Sequence, residues 1–236
     1  NINIKKKHLP SLLKIAVLQP IAYFTCETFG IQMTTASESG SIIACIPIAS
    51  LVASILFLQK KPTRFQTSGI CLTVVGVIVC VTAKGFESSF SGIGYIMLCM
   101  AVLSYSLYCV SAEKADKTTS IEKTYVMIAC GACFFATMAI ARSIAADTVV
   151  DLFMLPFQNT VFLFSILYLG IASSVLSFVL FNISISSIGT NKASSFVGIS
   201  TAVSVLAGVF ILDEKFSAMQ CYGTLIILLG VYIANM

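Results

Sequence analysis

The stretch QTSGICLTVVG at 66–76 returns at 220–230 as QCYGTLIILLG. A shift of 154 residues places Gln66 on Gln220 and both glycines of the first stretch on those of the second, without a gap. Each copy belongs to a pair of apolar segments joined by a short charged turn. A repeated block of membrane-length helices is typical of transporters built from two related halves. The repeat therefore bears on function as well as on fold.

The composition predicts a chain that lies in the membrane. Of its 236 residues, 58% are hydrophobic and 10% are charged, whereas a soluble domain carries about 25% charged residues. About 20 apolar residues span a bilayer. Eight such stretches are predicted, at about 12–34, 40–58, 66–83, 92–112, 123–142, 160–184, 193–212 and 217–235. Apart from one longer connection at 143–159, only short turns separate them.

The basic residues predict an orientation in the membrane. With the N-terminal segment placed in the cytoplasm, eleven of the fourteen Lys and Arg residues lie on the cytoplasmic side. The other three, Lys84, Arg142 and Lys215, lie on the opposite side. This bias follows the positive-inside rule. We therefore expect a multi-pass protein of the cell membrane, with both termini of this chain in the cytoplasm. The net charge of +4 then reflects topology, and we expect no nucleic-acid partner.

The two halves of the repeat differ in length. The second half holds five predicted spans, whereas the first holds three. The partners of the spans at 92–112 and 123–142 would lie before residue 1, so we expect the first two of ten helices to be missing. The expected fold is an all-α polytopic membrane protein. It would have the last three helices of one repeat at 1–85 and a complete five-helix repeat at 91–236. An odd number of helices per half inverts the second half, with a site where the halves meet near the midplane.

Further residues accompany the repeated glycines. The first copy carries Thr34-Thr35-Ala36-Ser37, Pro47, the turn Lys60-Lys61 and Gln66. The second copy carries Ser187-Ile188-Gly189, Leu212-Asp213-Glu214-Lys215 and Gln220. An aromatic-rich segment opens the second half: Ser104-Tyr105-Ser106-Leu107-Tyr108. Together these blocks resemble the EamA branch of the drug/metabolite transporter superfamily. The resemblance implies export of amino acids, related metabolites or toxic compounds.

Two positions depart from that family's pattern. Lys60 stands where the turn of the first copy usually has a glutamate, which the second copy keeps as Glu214. We expect this change to affect the chemistry of the loop. Thr201 stands where the second copy usually has the proline that pairs with Pro47. We expect this second change to remove a helix kink and to make the two halves move less symmetrically.

Glu27 is the acidic residue predicted to lie deepest in a span. At 1.5 Å per residue it lies about 20 Å from Lys14, well inside a hydrocarbon core of roughly 30 Å. A charge there costs at least ~2.5–3.5 kcal/mol unless it faces a cavity or a partner. It belongs to one polar stripe at helical spacing: Tyr23, Glu27, Gly30 and Thr34. Glu27 is then either a cavity group that binds an amine or carries a proton, or a protonated structural carboxyl.

Hydroxyl groups and small residues give a second set of candidates. Ser50 and Ser54 share a face of the second span, as Ser200 and Ser204 do in the seventh. Such spacing usually lets helices pack closely. The alternative is a hydroxyl-lined passage for a polar solute, for which Ser50, Ser200 and Ser204 are the candidates.

Aromatic residues and glycines each have two interpretations as well. Tyr105 and Tyr108 would form the aromatic wall of a binding site or would simply pack. The glycines repeated seven residues apart predict packing grooves, which are also compatible with a homodimer.

Metal and enzyme chemistry are not expected. Cys130 and Cys133 have the spacing of metal ligands but lie on an apolar helix, and the single histidine, His8, lies in the terminal segment. A metal site needs three or four such ligands, so no metal and no cofactor are predicted. An intramembrane enzyme needs a nucleophile–base pair or a cluster of ligands, and the sequence predicts neither.

The sequence therefore predicts a secondary transporter that exports a small metabolite through the lipid bilayer by alternating access, with a proton as the candidate coupling ion. Every Lys and Arg lies at a span end or in a loop, which favours a neutral, zwitterionic or cationic solute such as an amino acid. Three alternatives stay open. They are a phosphate-compound antiporter of the same fold, a non-transporting membrane fragment or partner, and, least favoured, an intramembrane enzyme.

Overall fold

The computed structural model of the chain describes residues 8–34, 36–82, 91–199, 202–203 and 218–236. Within these ranges the regular elements are all helices. In chain order they are α1 (Leu9–Gln32), α2 (Ala36–Ile43), α3 (Ile46–Leu58), α4 (Arg64–Thr82), α5 (Gly92–Lys114), α6 (Ser120–Ala145), α7 (Val149–Gln158), α8 (Thr160–Ile188), α9 (Thr190–Ser195) and α10 (Ala218–Asn235). Two helices contain a π-helical segment: α1 at Val17–Ala22 and α8 at Tyr168–Leu176.

Five helices of the described residues are long and apolar enough to cross a membrane: α1, α5, α6, α8 and α10. The predicted spans at 40–58 and 66–83 correspond to shorter apolar helices, Ile46–Leu58 and Arg64–Cys80. The predicted span at 193–212 falls mostly outside the described residues, as do Lys84 and Lys215. The all-helical, polytopic fold is thus confirmed. The count of eight spans and the two missing helices stay predictions.

The second predicted span is two helices rather than one. It breaks at Ala44 and Cys45, between α2 and α3, and Pro47 lies in the first turn of α3. Proline has no backbone N–H and therefore fits the first turn of a helix, where that group would have no partner. The predicted long connection at 143–159 likewise contains a helix, α7.

Local sequence explains where several helices begin and end. The Ser91 side chain accepts a hydrogen bond from the Gly94 N–H at the start of α5. Thr119 and Glu122 form a capping box at the start of α6, which satisfies two backbone donors that the helix leaves free. Gly189 ends α8 with a φ of 80°, a backbone conformation that glycine adopts without steric cost.

The repeated glycines lie where α4 packs against α10. A Cβ atom added to Gly76 would lie 2.7 Å from the Ile227 nitrogen and 2.8 Å from the Gly223 oxygen. One added to Gly230 would lie 2.5 Å from the Thr73 nitrogen. Only glycine allows such close approach of two backbones, as is common between membrane helices. We call Gly69, Gly76, Gly223 and Gly230 the glycine seam.

The two copies of the repeat pack on each other in opposite directions. Gly69 faces Gly230, and seven residues further along α4, Gly76 faces Gly223, seven residues earlier in α10. The helices are therefore antiparallel. In the repeat, Gly69 corresponds to Gly223 and Gly76 corresponds to Gly230. The two contacts are therefore equivalent, with the roles of the two helices exchanged. The predicted packing role of the glycines is confirmed, because each fills its groove against the other helix of the pair. The homodimer stays a prediction.

A buried core lies where the N-terminal part of α1 meets α5, α6, α8 and α9. It includes Leu12, Tyr108, Met127 and Ile185, each at most 1% exposed. The C-terminal part of α1 packs on α5 through a second close contact, because a Cβ atom on Gly30 would lie 2.6 Å from Leu98 Cγ. These contacts place one end of α1 in a core that is otherwise built by residues 91–199.

We expect Gly76→Ala to destabilise the protein by about 1–3 kcal/mol, because the added methyl group forces two backbones apart. The measurement is thermal unfolding in detergent followed by circular dichroism. The matched control is Gly170→Ala in α8, where an added Cβ atom meets nothing within 4 Å. Alanine forms helices better than glycine, so the control should unfold at the same or a higher temperature. If Gly76→Ala unfolds at the same temperature as the original protein, the two backbones are not in close contact at Gly76.

Candidate functional site

A cavity of about 330 Å³ lies between α1, α5 and α8. Its wall contains Gln19 from α1, Tyr105 and Tyr108 from α5, and five residues of α8 between 177 and 184. Four of the eight lining residues are aromatic, and none carries a formal charge. We call it the aromatic cavity. It can hold an apolar or aromatic group, and its few polar atoms can orient a solute.

Tyr105 is the centre of the aromatic wall. Its ring centroid lies 5.2 Å from that of Tyr23, 5.6 Å from that of Tyr108 and 5.8 Å from that of Phe181. Tilted and edge-to-face pairs at these distances attract each other beyond simple burial. The rings therefore hold α1, α5 and α8 together around the cavity.

Glu27 is connected to this wall through Tyr23. The Tyr23 hydroxyl donates a hydrogen bond of 2.7 Å to Glu27 Oε1, one turn further along α1. Tyr23 is buried and Glu27 half-buried. The structure thus brings together Glu27, Tyr23, Tyr105 and Tyr108, four of the predicted site residues. Their part in binding or in proton transfer stays a prediction.

The other predicted site residues lie elsewhere. Thr34 Oγ1 donates to the Gly30 carbonyl at 2.8 Å within its own helix. Ser50 is fully buried between α3 and α5, where its hydroxyl donates to Ser106 Oγ at 3.3 Å. Neither residue lines the aromatic cavity. Ser200 and Ser204, together with Thr201, lie outside the described residues.

The helix α1 is interrupted where it meets the aromatic cavity. Gln19 has φ −140° and ψ 116°, values outside the helical range. A residue that precedes proline is pushed towards such extended values because the proline ring clashes with a helical neighbour. The Leu18 carbonyl at the interruption accepts from the Tyr23 N–H five residues later, and Ser104 Oγ also donates to it at 2.8 Å. Gly131 of α6 makes room for Pro20, since a Cβ atom there would lie 2.5 Å from Pro20 Cγ.

The π-helical segment of α1 has a counterpart in the second half. Shifted by 154 residues, Val17–Ala22 falls on 171–176, inside the π-helical segment Tyr168–Leu176 of α8. That segment lacks a proline but contains Ser174, whose hydroxyl donates to the Leu169 carbonyl five residues earlier. Both halves thus contain a π-helical segment at corresponding positions, and in α1 the segment also contains the break at Gln19.

Sequence reasoning missed Gln19 and Asn182. Gln19 is 2% exposed, and the signal that could have identified it is the Gln-Pro pair in the middle of an apolar span. Asn182 is fully buried and links three helices. It accepts from the Tyr108 hydroxyl at 3.0 Å and donates to Thr124 Oγ1 at 3.0 Å. Because Asn182 fixes the Tyr108 ring, it positions the wall of the cavity.

A second, polar cavity of about 470 Å³ lies at one end of the helices. Residues of three connections that are predicted to be cytoplasmic line it, including Lys60, Glu113 and Lys123. Lys60 forms an ion pair with Glu113, which also accepts the Thr190 N–H at 2.8 Å. Lys123 is buried and donates to the Ala112 carbonyl at 2.6 Å. Lys60 therefore does more than change loop chemistry, because it joins residues 1–85 to residues 91–236.

Comparisons with known proteins place this geometry in a family. The chain matches the EamA-like transporter family over residues 1–82 and 92–236. It is 33% identical to the uncharacterized transporter YcxC of Bacillus subtilis (strain 168) over 236 residues, 99% of this chain and 75% of that protein. An uncharacterized transporter of Archaeoglobus fulgidus is 23% identical over 235 residues, 98% of this chain and 79% of its own length.

The fold is also similar to that of a protein known from a crystal structure. The two chains are 13% identical and superpose with a TM-score of 0.77, over 99% of this chain and 79% of the other. At this identity the similarity concerns the fold.

We expect Asn182→Leu to destabilise the protein by about 1–3 kcal/mol per buried polar group that loses its partner. Tyr108→Phe removes one hydrogen bond and keeps the ring, so it should cost less than Asn182→Leu. The measurement is thermal unfolding of both variants in detergent. If Tyr108→Phe lowers the unfolding temperature more than Asn182→Leu does, the hydrogen bonds assigned to Asn182 are wrong.

Proposed function

Because this chain belongs to the EamA-like transporter family, we propose that it exports a small metabolite across the cell membrane by alternating access. The solute is an amino acid or a related neutral, zwitterionic or cationic compound. The observation that carries this proposal is the aromatic cavity, whose wall combines aromatic rings with uncharged polar groups. Pockets for small molecules have this composition, with a few polar groups that fix orientation.

The charge of the cavity supports the choice of solute. None of its lining residues is Lys or Arg, whereas phosphate groups are normally held by such residues. Aromatic rings, in contrast, attract cations at their faces. Lys60 and Lys123 line the polar cavity instead, and both have hydrogen-bond partners there. A phosphate-compound antiporter is therefore the less favoured alternative.

The geometry of the repeat supports two inverted halves, at 1–85 and 91–236. The glycine seam pairs an equivalent helix from each half, and the two helices run in opposite directions. The π-helical segments of α1 and α8 occupy corresponding positions, and α1 is broken at Gln19 within its segment. In transporters with inverted repeats the solute site lies near the midplane, where discontinuous helices meet. The aromatic cavity borders the break in α1 and the part of α8 that follows its π-helical segment.

We place the polar cavity on the cytoplasmic side of the cell membrane, with both chain termini. The positive-inside rule assigns its three connections to the cytoplasm, and the structure groups them at one end of the helices. The Lys60–Glu113 ion pair then joins the two halves on the cytoplasmic side.

A direct test of this function is efflux from cells that express the full-length protein, screened across amino acids and cationic compounds. Faster efflux of one compound class than from cells without the protein supports an exporter. If the protein reaches the membrane and no compound leaves faster, the exporter proposal fails.

We expect Glu27→Gln to abolish proton-driven accumulation of solute in proteoliposomes while exchange of solute against solute continues. Glutamine mimics the protonated carboxyl group and cannot release a proton, so only the steps that need no proton remain. The measurement compares uptake with and without a pH gradient across the liposome membrane. The original protein should respond to the gradient, and the variant should not.

The matched control for Glu27 is Asp147→Asn. Asp147 is an exposed residue in the turn before α7, and asparagine tolerates its positive φ of 56°. This variant should keep the response to the pH gradient. A Glu27→Gln protein that responds to the gradient like the original would rule out Glu27 as the coupling group.

A further inference from the structure

The interruption of α1 turns a glutamine side chain into part of the aromatic cavity. At Gln19 the backbone leaves the helical conformation, and the side chain of this residue lines the cavity. Discontinuous membrane helices are tolerated where the freed polar groups meet protein or a cavity. Here the backbone carbonyl of Leu18 already accepts from the Tyr23 N–H and from Ser104 Oγ. The Gln19 side chain is therefore not needed to repair the interruption.

The side-chain oxygen of Gln19 has no hydrogen-bond partner among the described residues. The residue is 2% exposed, and a buried acceptor without a partner destabilises a protein. Two nearby hydroxyls donate elsewhere: that of Tyr108 to Asn182, and that of Tyr23, behind the wall, to Glu27. The wall also contains the hydroxyls of Tyr105, Ser177 and Ser184. None of the described donors forms a hydrogen bond with Gln19 Oε1.

Such an acceptor selects the kind of group that binds beside it. A carboxylate or phosphate oxygen has no hydrogen to donate to the Gln19 oxygen, and the wall contains no Lys or Arg that would bind it. An ammonium or amide N–H group would satisfy it. The rings of Tyr105, Tyr108 and Phe181 provide apolar and cation-attracting surface next to it. The volume of about 330 Å³ lies at the small end of ligand pockets, which span ~300–1,000 Å³.

We propose that Gln19 is the specificity-determining residue of the aromatic cavity, and that the solute carries an N–H donor attached to an aromatic or branched apolar body. This inference rests on the transport function proposed above. Gln19 Oε1 accepts the N–H of the bound solute, and the rings of α5 and α8 hold its body.

The test uses two probes that differ in the N–H donor. Both 2-phenylethylamine, in its ammonium form, and N,N,N-trimethyl-2-phenylethylammonium carry one positive charge and the same ring, but the second has no N–H. Binding of each probe to the purified full-length protein is measured at equilibrium. We expect the original protein to prefer the amine by about 3- to 10-fold, the range of one hydrogen bond.

Three variants test whether Gln19 is the cause of the preference for the amine. Gln19→Met has a similar volume without the acceptor, so it should bind both probes equally and keep its affinity for the trimethyl compound. Gln19→Glu keeps an acceptor and should keep the preference for the amine. Gln158→Met, at the exposed end of α7, is the matched control and should behave like the original protein. The ratio of the two affinities reports how the cavity recognises the N–H group. A general loss of stability would weaken the binding of both probes alike and leave this ratio unchanged.

The outcomes separate this inference from the proposed function. The inference is overturned if Gln19→Met keeps the preference, or if the original protein binds neither probe or binds both equally. Flux of both probes is measured separately in proteoliposomes. Binding that depends on Gln19 without flux leaves the recognition role intact and counts against transport. Flux of the amine that is unchanged in Gln19→Met supports transport and overturns the role of Gln19.

Discussion

Helices in a bilayer gain nothing by burying apolar side chains, because lipid tails are as apolar as leucine. The close backbone contact between α4 and α10 has to supply the attraction instead, and the glycine seam makes that contact possible. A core cluster that includes Ala44, Val77, Ala202 and Ile227 packs directly beside the seam. The seam therefore sets the distance between the last helix of the first repeat and the last helix of the second.

The lipid bilayer imposes a second constraint. A backbone polar group inside it must find a hydrogen-bond partner within the protein. Pro20 interrupts α1, and the Leu18 carbonyl at the interruption accepts from the Tyr23 N–H and from Ser104 Oγ of α5. The second of these bonds ties α5 to the interruption, and Tyr105 and Tyr108 of α5 line the aromatic cavity together with Gln19. The aromatic cavity therefore lies where the interrupted part of α1 meets α5.

The repeat and the apolar spans were sufficient to predict the helical fold and the role of the glycines, because both signals are periodic along the chain. Part of the site was also predictable, since Tyr23 and Glu27 share a face of one helix and Tyr105 and Tyr108 share another. The remaining features depend on contacts between distant segments. Asn182 meets Thr124 across 58 residues and Lys60 meets Glu113 across 53. Ser50 likewise meets Ser106 across 56 residues, whereas Thr34 donates to a carbonyl of its own helix. A count of hydroxyl groups along a helix face reveals neither contact.

The antiparallel seam also limits how the molecule can deform. Two backbones in contact can swivel about their line of contact, but a sliding motion would drive a side chain of one helix into the backbone of the other. In the alternating-access cycle proposed above, the line of contact between α4 and α10 would therefore stay fixed. It would be the axis about which the two repeats rotate, and the helices furthest from it would move the most.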